Sequence, residues 1–281
     1  MIPHHSTLYP KPSTLKRHRG QHLLTDRNVL NKIVERAKIQ LTDTVVEIGA
    51  GTGNLTELLA RKAYRVIAIE IDKDLVPLLT RACTPYPTVE IIKDDARTFN
   101  PSAYYLAPNA YLVVANIPYN ITSVIIRKFL ENSMQPSRMV LLIQKEVAER
   151  ICARPPNMSI LALSVQYFAT PKILFPVSRN SFMPRPNVDS AVIEIVVRGA
   201  KTQDPLFDTI FFKLVTTGFS QKRKLLVSNL SGGLGVPKEK ILEAFATAHI
   251  DVTARAQELD LDQWLALIPL LSPLPIAGRD I

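Results

Sequence analysis

Thr44 to Leu59 reads TVVEIGAGTGNLTELL: a short apolar run, three glycines at alternate positions, then leucines at helical spacing. The β-branched Thr44, Val45, Val46 and Ile48, ending at glycine, predict a buried strand, and Leu55, Leu58 and Leu59 predict one face of a helix. Strand, glycine loop and helix together make the first half of a parallel β-α unit, and the alternation repeats downstream. Strands are predicted at Arg65–Ile71, Val89–Ile92, Tyr111–Ala115 and Met139–Ile143, with helices over Lys73–Cys83, Ser123–Glu131 and Lys145–Ile151. Upstream, Asp26 is placed to cap a helix whose apolar face carries Val29, Leu30, Ile33, Val34 and Ala37. Beyond Arg154 come a predicted helix, Ser159–Phe168, and two strands, Lys172–Val177 and Ala191–Val197. Only a proline-rich loop joins those strands, too short for a crossover, so they are expected to be antiparallel. The expected fold class is α/β, Rossmann-like, with a seven-stranded, mostly parallel sheet.

After Arg198 the pattern becomes helical. Helices are predicted over Phe207–Thr217, Lys222–Leu230, Lys238–Ala248 and Asp262–Leu271, with Gly232, Gly233 and Gly235 breaking the run. The expected organisation is a flexible basic arm at 1–19, an α/β domain at 20–200 and a small C-terminal all-helical domain at 205–281. At 281 residues and 47 % hydrophobic, the chain can build a core for both domains. Lysine and arginine outnumber the acids 34 to 25, a net charge of +9 that suits an anionic partner. Basic residues gather at Lys16, Arg17 and Arg19, at Lys213, and at Lys222, Arg223 and Lys224, with Arg185 in a later loop. They are candidate phosphate contacts, which position a nucleic acid without reading its sequence. Cys83 and Cys152 form no CxxC pair, and no Cys/His spacing suits a metal, so a reducing compartment and no metal are expected. With no run of eighteen apolar residues and no apolar leader at the start, a cytoplasmic location without membrane contact is expected.

The loop Gly49-Ala50-Gly51-Thr52-Gly53 has the backbone freedom to approach a bulky ligand closely. A dinucleotide fingerprint asks for glycine at the sixth position, where this chain has Asn54, which argues against NAD. GxGxG after a strand ending in Glu47-Ile48 is the pattern that carries S-adenosylmethionine in many methyltransferases. Glu70, about twenty residues on, can accept hydrogen bonds from both ribose hydroxyls, and Asp95, after the third strand, can contact the adenine end. Asp72 and Asp94 read as surface or capping acids.

The fourth strand runs into Asn116-Ile117-Pro118-Tyr119. An exocyclic amine on an aromatic base has its lone pair delocalised into the ring, so its methylation calls for acceptors that hold the amine as it becomes tetrahedral. The Asn116 side-chain oxygen and the Pro118 carbonyl can supply them, and Tyr119 offers a stacking face. Phe182, in Phe182-Met183-Pro184-Arg185-Pro186, is expected to close the pocket as a second aromatic.

The chain resembles the ribosomal RNA adenine dimethyltransferase family in an ordered set of stretches. They are Gly20-Gln21-His22-Leu23-Leu24, Val46 to Gly53, Ala115 to Asn120, Gln144 to Ala148, Phe182 to Val192 and the basic Phe219 to Lys224. The resemblance implies a class I methyltransferase fold and transfer of methyl groups from S-adenosylmethionine to N6 of two adjacent adenines near the 3′ end of small-subunit ribosomal RNA. The implied partner is that RNA in a small subunit or its precursor, engaged by a monomer, with a part in subunit biogenesis. Implied cofactor positions are His22, Leu24, Gly49, Gly51, Gly53, Glu70, Asp95 and Asn116; Asn116 and Pro118 match the catalytic acceptors, Tyr119 and Phe182 the stacking aromatics. The chain departs from the family pattern at His22-Leu23, where Asn-Phe is usual, at Ile117, where leucine is commoner, and at Asn157 to Ser164, which lacks a tyrosine-glycine pair. Ile117 also fits the related macrolide-resistance enzymes acting on large-subunit RNA, and an assembly factor in which binding outweighs turnover is a further alternative.

Overall fold

The computed structural model describes residues 22–199 and 205–271. Its strands are β1 (Leu23–Leu24), β2 (Thr44–Ile48), β3 (Arg65–Ile69), β4 (Val89–Ile92), β5 (Tyr111–Asn116), β6 (Arg138–Gln144), β7 (Ala169–Val177), β8 (Phe182–Met183) and β9 (Ser190–Val197). Seven of them form one sheet in the order β4-β3-β2-β5-β6-β9-β7. The first five are parallel, whereas β9 runs antiparallel to both β6 and β7. The antiparallel pairing expected of the last two sheet strands is present, and β7 is the edge. That position explains why β7 tolerates Pro171 and Pro176, since a missing N–H is harmless on an unpaired side.

Helices α1 (Arg27–Ala37), α2 (Asn54–Ala60), α3 (Val76–Cys83), α4 (Thr122–Leu130) and α5 (Lys145–Ile151) follow in chain order. Asp26 caps α1 as expected: its carboxylate accepts the N–H groups of Asn28 at 3.0 Å and Val29 at 3.3 Å. Leu30, Ile33, Val34 and Ala37 of α1 then join Leu55 and Leu59 of α2 in one core over β2, β5, β6 and β9. Ile33 is fully buried there, and its truncation to alanine would cost about 2–5 kcal/mol. Val66, Ile67 and Ala68 are likewise fully buried, since helices cover both sheet faces and a parallel strand then reads as a continuous apolar run.

The described residues divide into two compact units. One holds the sheet: 22–149 with Ala169–Arg198. The other is helical: Arg150–Phe168 with Gly199 and 205–271. The α/β domain expected at 20–200 includes Ser159–Phe168, whereas in the structure this segment belongs to the helical unit. Aromatic packing is the reason, because Tyr167 of α6 (Ile160–Phe168) stacks on Phe211 of α7 (Pro205–Gly218) at 4.4 Å between centroids, and its hydroxyl donates to Asp208.

α8 covers Leu226–Leu234, four residues later than predicted, followed by α9 (Lys238–Thr247) and α10 (Leu261–Leu271). Gly232 and Gly233 lie inside α8 and do not break it. A Cβ on Gly233 would sit 2.3 Å from Thr217 Cγ2, and one on Gly218 2.4 Å from Trp264 Cη2, so these glycines are close-approach points between helices. Gly235, at φ +67°, does end α8, in the left-handed conformation typical of a helix C-terminus. Among the described residues, no helix is long and apolar enough to cross a membrane.

Candidate active site

The sheet order reverses between β2 and β5, which pair side by side while their connections leave in opposite directions. Open α/β sheets bind ligands at such a switch point, beyond the carboxyl ends of the strands. A cleft of about 310 Å³ lies there, lined by Gly49 and Gly51 after β2, Glu70 after β3, Asp95 after β4, Asn116 at the end of β5 and Ile117 to Ile121 beyond it. Residues up to 72 apart in the chain meet because parallel strands deliver all their carboxyl ends to one edge.

The glycine loop is held by a carboxylate. Gly51, at φ +61°, donates its N–H to Glu70 Oε2 at 2.8 Å, and the Asp72 N–H donates to Glu70 Oε1 at 2.8 Å. A Cβ on Gly51 would lie 3.0 Å from Leu23 Cδ2, so a side chain there would press on β1. Glu70 is 5 % exposed; burial pushes its carboxyl up, and the bonds from Asp72 and Gly51 pull it back. Each oxygen retains a lone pair, which is what two ribose hydroxyls need. Gly53 does not line the cleft: at φ +91° it caps α2, and a Cβ there would meet that of Ala82 on α3 at 2.9 Å.

Asp95 faces the cleft already engaged. Arg97 grips it with Nη2 at 2.6 Å and Nε at 2.9 Å, and this bonding holds its carboxyl below the usual range. Asp72 is buried rather than a surface acid, and its carboxylate accepts the Asp74 N–H at 3.0 Å in the turn before α3 without capping that helix. Asp94 Oδ1 accepts the Asp95 N–H at 2.7 Å, and Asp94 also lines the cleft. Sequence reasoning missed Arg97 and the apolar wall of Ile69, Ile71 and Leu75. A signal existed: Ile71 directly follows the strand-end acid and stays 49 % exposed, an apolar side chain left open at the cleft.

On the β5 side, Asn116 Nδ2 donates to the His22 carbonyl at 3.0 Å. That carbonyl can only accept, so the amide NH₂ must face it and Oδ1 is turned away, without a partner among the described residues. The Pro118 carbonyl accepts Ile121 N–H at 3.1 Å and Thr122 Oγ1 at 3.4 Å, so it has less capacity left than Asn116. Tyr119 has its hydroxyl 2.6 Å from Ser190 Oγ and its ring centroid 5.5 Å from that of His22. Burial pushes its phenol up, keeping it neutral. His22 Nδ1 lies 2.7 Å from the Pro184 carbonyl, so Nδ1 carries the proton.

Two expected site residues are core residues. Phe182, 5 % exposed, pairs with Leu24 across β8 and β1 and packs in the same apolar cluster as α1, not against the cleft. A short strand pairing turns its ring inward, which motif matching cannot see. Leu24 itself, 4 % exposed, offers only backbone: its carbonyl accepts Asn54 Nδ2 at 3.2 Å.

Of the basic candidates, Lys16, Arg17 and Arg19 lie outside the described residues. Arg185 is exposed in the sheet unit. In the helical unit Lys213 is half-buried on α7, while Lys222, Arg223 and Lys224 are exposed in the turn before α8 and not on a helix as predicted. No group of three or more metal-ligating side chains occurs among the described residues.

Comparison with known proteins agrees with this geometry. The chain is 40 % identical over 248 residues to the Ribosomal RNA small subunit methyltransferase A of Dehalococcoides mccartyi strain CBDB1, covering 88 % of this chain and 85 % of that one. A dimethyladenosine transferase of Plasmodium falciparum superposes with a TM-score of 0.76 at 30 % identity, covering 88 % of this chain and 96 % of that one. The 23S rRNA methyltransferase ErmE gives a TM-score of 0.74 at 26 % identity, covering 89 % and 99 %. The family model described as Ribosomal RNA adenine dimethylase matches residues 13–272, and with it the glycine loop, the Asn116 turn and the helical unit: the chain belongs to the ribosomal RNA adenine dimethylase family.

Proposed function

We propose that the protein methylates N6 of two adjacent adenines near the 3′ end of small-subunit ribosomal RNA, giving N6,N6-dimethyladenines. The observation that carries the reading is the meeting of the Asn116 to Tyr119 turn with the Gly49 loop, Glu70 and Asp95 in one cleft. The residues suit S-adenosylmethionine: a buried carboxylate with lone pairs to spare, glycines at positive φ against the cleft, and an apolar wall of Ile69, Ile71 and Leu75. Bound there, it supplies an electrophilic methyl group on a sulfonium.

Glu70 would hold the ribose hydroxyls, and Asp95, Ile71 and Leu75, which line the same cleft, would border the adenine end. His22 and the glycine loop border the remaining cofactor length. Tyr119 stacks the target adenine, which must be unpaired or flipped because an amine inside a duplex is out of reach. Asn116 Oδ1 accepts an N–H of the target amine. As N6 gains the methyl carbon it becomes tetrahedral and positive, so this hydrogen bond strengthens towards the transition state. One N–H proton then passes to solvent water, restoring a neutral amine for the second transfer. The Pro118 carbonyl is the lesser acceptor, because it already takes the Ile121 N–H and the Thr122 hydroxyl.

The small-subunit relative is 40 % identical to this chain over 248 aligned residues, whereas ErmE is 26 % identical over its aligned part, which supports the small-subunit assignment. Lys222 to Lys224 and Arg185 are the proposed phosphate contacts, and binding through them should weaken as salt rises. Labelled S-adenosylmethionine offered with small-subunit particles lacking the adenine methylations should mark two neighbouring adenines. Label confined to large-subunit RNA would overturn the substrate.

A further inference from the structure

Tyr119 lies three residues beyond the end of β5, in a short turn that leaves its phenol free to swing unless something distant holds it. That anchor is Ser190, 71 residues away, whose Oγ is 2.6 Å from the Tyr119 hydroxyl. Ser190 is fully buried, the first residue of β9, and pairs with Gln144 of β6 on one side and Val177 of β7 on the other. Its neighbour Asp189 accepts the Lys145 N–H through its carbonyl at 3.0 Å and the Arg179 N–H through its carboxylate at 3.0 Å. Ser190 is thus fixed on a three-strand junction next to the turn.

We infer that Ser190 is a positioning residue that fixes the Tyr119 ring as a flat stacking face for the target adenine. The inference rests on the base-stacking reading of Tyr119 proposed above. The 2.6 Å bond to Ser190 engages the hydroxyl at the tip of the ring and leaves the ring face as the surface offered to the base. With the oxygen tethered at the tip of the ring, a swing of the whole side chain about its Cα–Cβ bond breaks a part-buried hydroxyl pair, and His22, 5.5 Å away between centroids, flanks the ring. Preorganisation of this kind acts on the rate at which a bound adenine reaches attack geometry, and not on cofactor affinity.

A double-mutant cycle tests it, using the full-length protein and single-turnover methylation of small-subunit particles. Ser190→Ala should lower the rate roughly two- to ten-fold, the range of one hydrogen bond, with S-adenosylmethionine affinity unchanged. Tyr119→Phe removes the same bond from the other side and should give a loss of similar size. Ser190→Ala added to Tyr119→Phe should then cost nothing more, because the bond is already gone. A wild-type rate in Ser190→Ala, or losses that multiply in the double variant, would overturn the inference. Should Ser190→Ala prove unfolded by its thermal midpoint, Tyr119→Phe alone decides, and a wild-type rate there overturns it equally. Undiminished methylation by Tyr119→Ala would instead bring down the stacking reading, and this inference with it, so the two failures are distinguishable.

Discussion

The two walls of the cleft are built by different means. On the β2–β3 side the working groups are a backbone loop and the carboxylate that grips it: Gly51, at positive φ, donates its amide to Glu70, 19 residues away in the same β-α-β unit. On the β5 side they are side chains, each aimed by a distant partner. Asn116 is oriented by the His22 carbonyl, 94 residues away, and Tyr119 by Ser190, 71 residues away. A backbone wall meets a ligand the same way before and during reaction, whereas an oriented acceptor gains value as charge develops. Affinity should therefore reside on the first wall and rate on the second.

The largest expected effect is on the second wall. Asn116→Ala should lower single-turnover methylation by about 10²–10³-fold, as loss of one preorganised transition-state partner does elsewhere, while S-adenosylmethionine affinity by calorimetry changes little. A loss mainly in affinity would erase the distinction between the walls. Next, Glu70→Ala should weaken cofactor binding roughly ten- to hundred-fold, because a charged acceptor is worth about 1.5–3 kcal/mol, and saturating cofactor should restore most of the rate. Failure to restore it would place rate on the first wall as well. Gly51→Ala should cost about 1–2 kcal/mol from its left-handed φ, read as a lower thermal midpoint and weaker cofactor binding.

The mildest effect concerns Glu47, beneath the glycine loop in β2. It is 2 % exposed, its Oε2 and the Thr52 hydroxyl have no hydrogen-bond partner among the described residues, and burial, opposed by the nearby Thr56 hydroxyl and aided by the charge of Glu70, pushes its carboxyl up to about 8. The unfolded chain releases this proton near the ordinary 4.5, the folded chain near 8, so the folded state binds more protons between those values. Stability contributed here is present below about 4.5 and lost as pH rises towards 8. Glu47→Gln, neutral at all pH, should flatten that slope, raising the thermal midpoint at pH 8 relative to the parent and leaving it nearly unchanged at pH 4.5. An unaltered slope would show that the pH dependence does not arise at Glu47.

Local chemistry made much of this legible in sequence. The β2 run, glycine loop and α2 leucines occupy consecutive residues, and Asp26 caps α1 through amides two and three positions on, so pattern and structure coincide. Element boundaries slipped where packing ruled: α8 begins at Leu226 and runs through two glycines because Thr217 needs the space at Gly233. Cofactor-side acids could be named from spacing, because parallel strands of similar length bring successive carboxyl ends to one edge.

Tertiary structure alone decided the rest. Phe182 and Tyr119 are both aromatics in matching motifs, and nothing local distinguishes them; the β1–β8 pairing sends one ring into the core, and Ser190 keeps the other at the cleft. The segment Ile160–Phe168 joins the helical unit because Tyr167 finds Phe211, a contact 44 residues distant that periodicity cannot register. Sequence determined which groups exist and where the backbone can bend, since those depend on neighbours a few bonds away. Orientation of a side chain depends on what lies opposite it in space, and for Asn116, Tyr119 and Phe182 that is set by how the sheet is assembled.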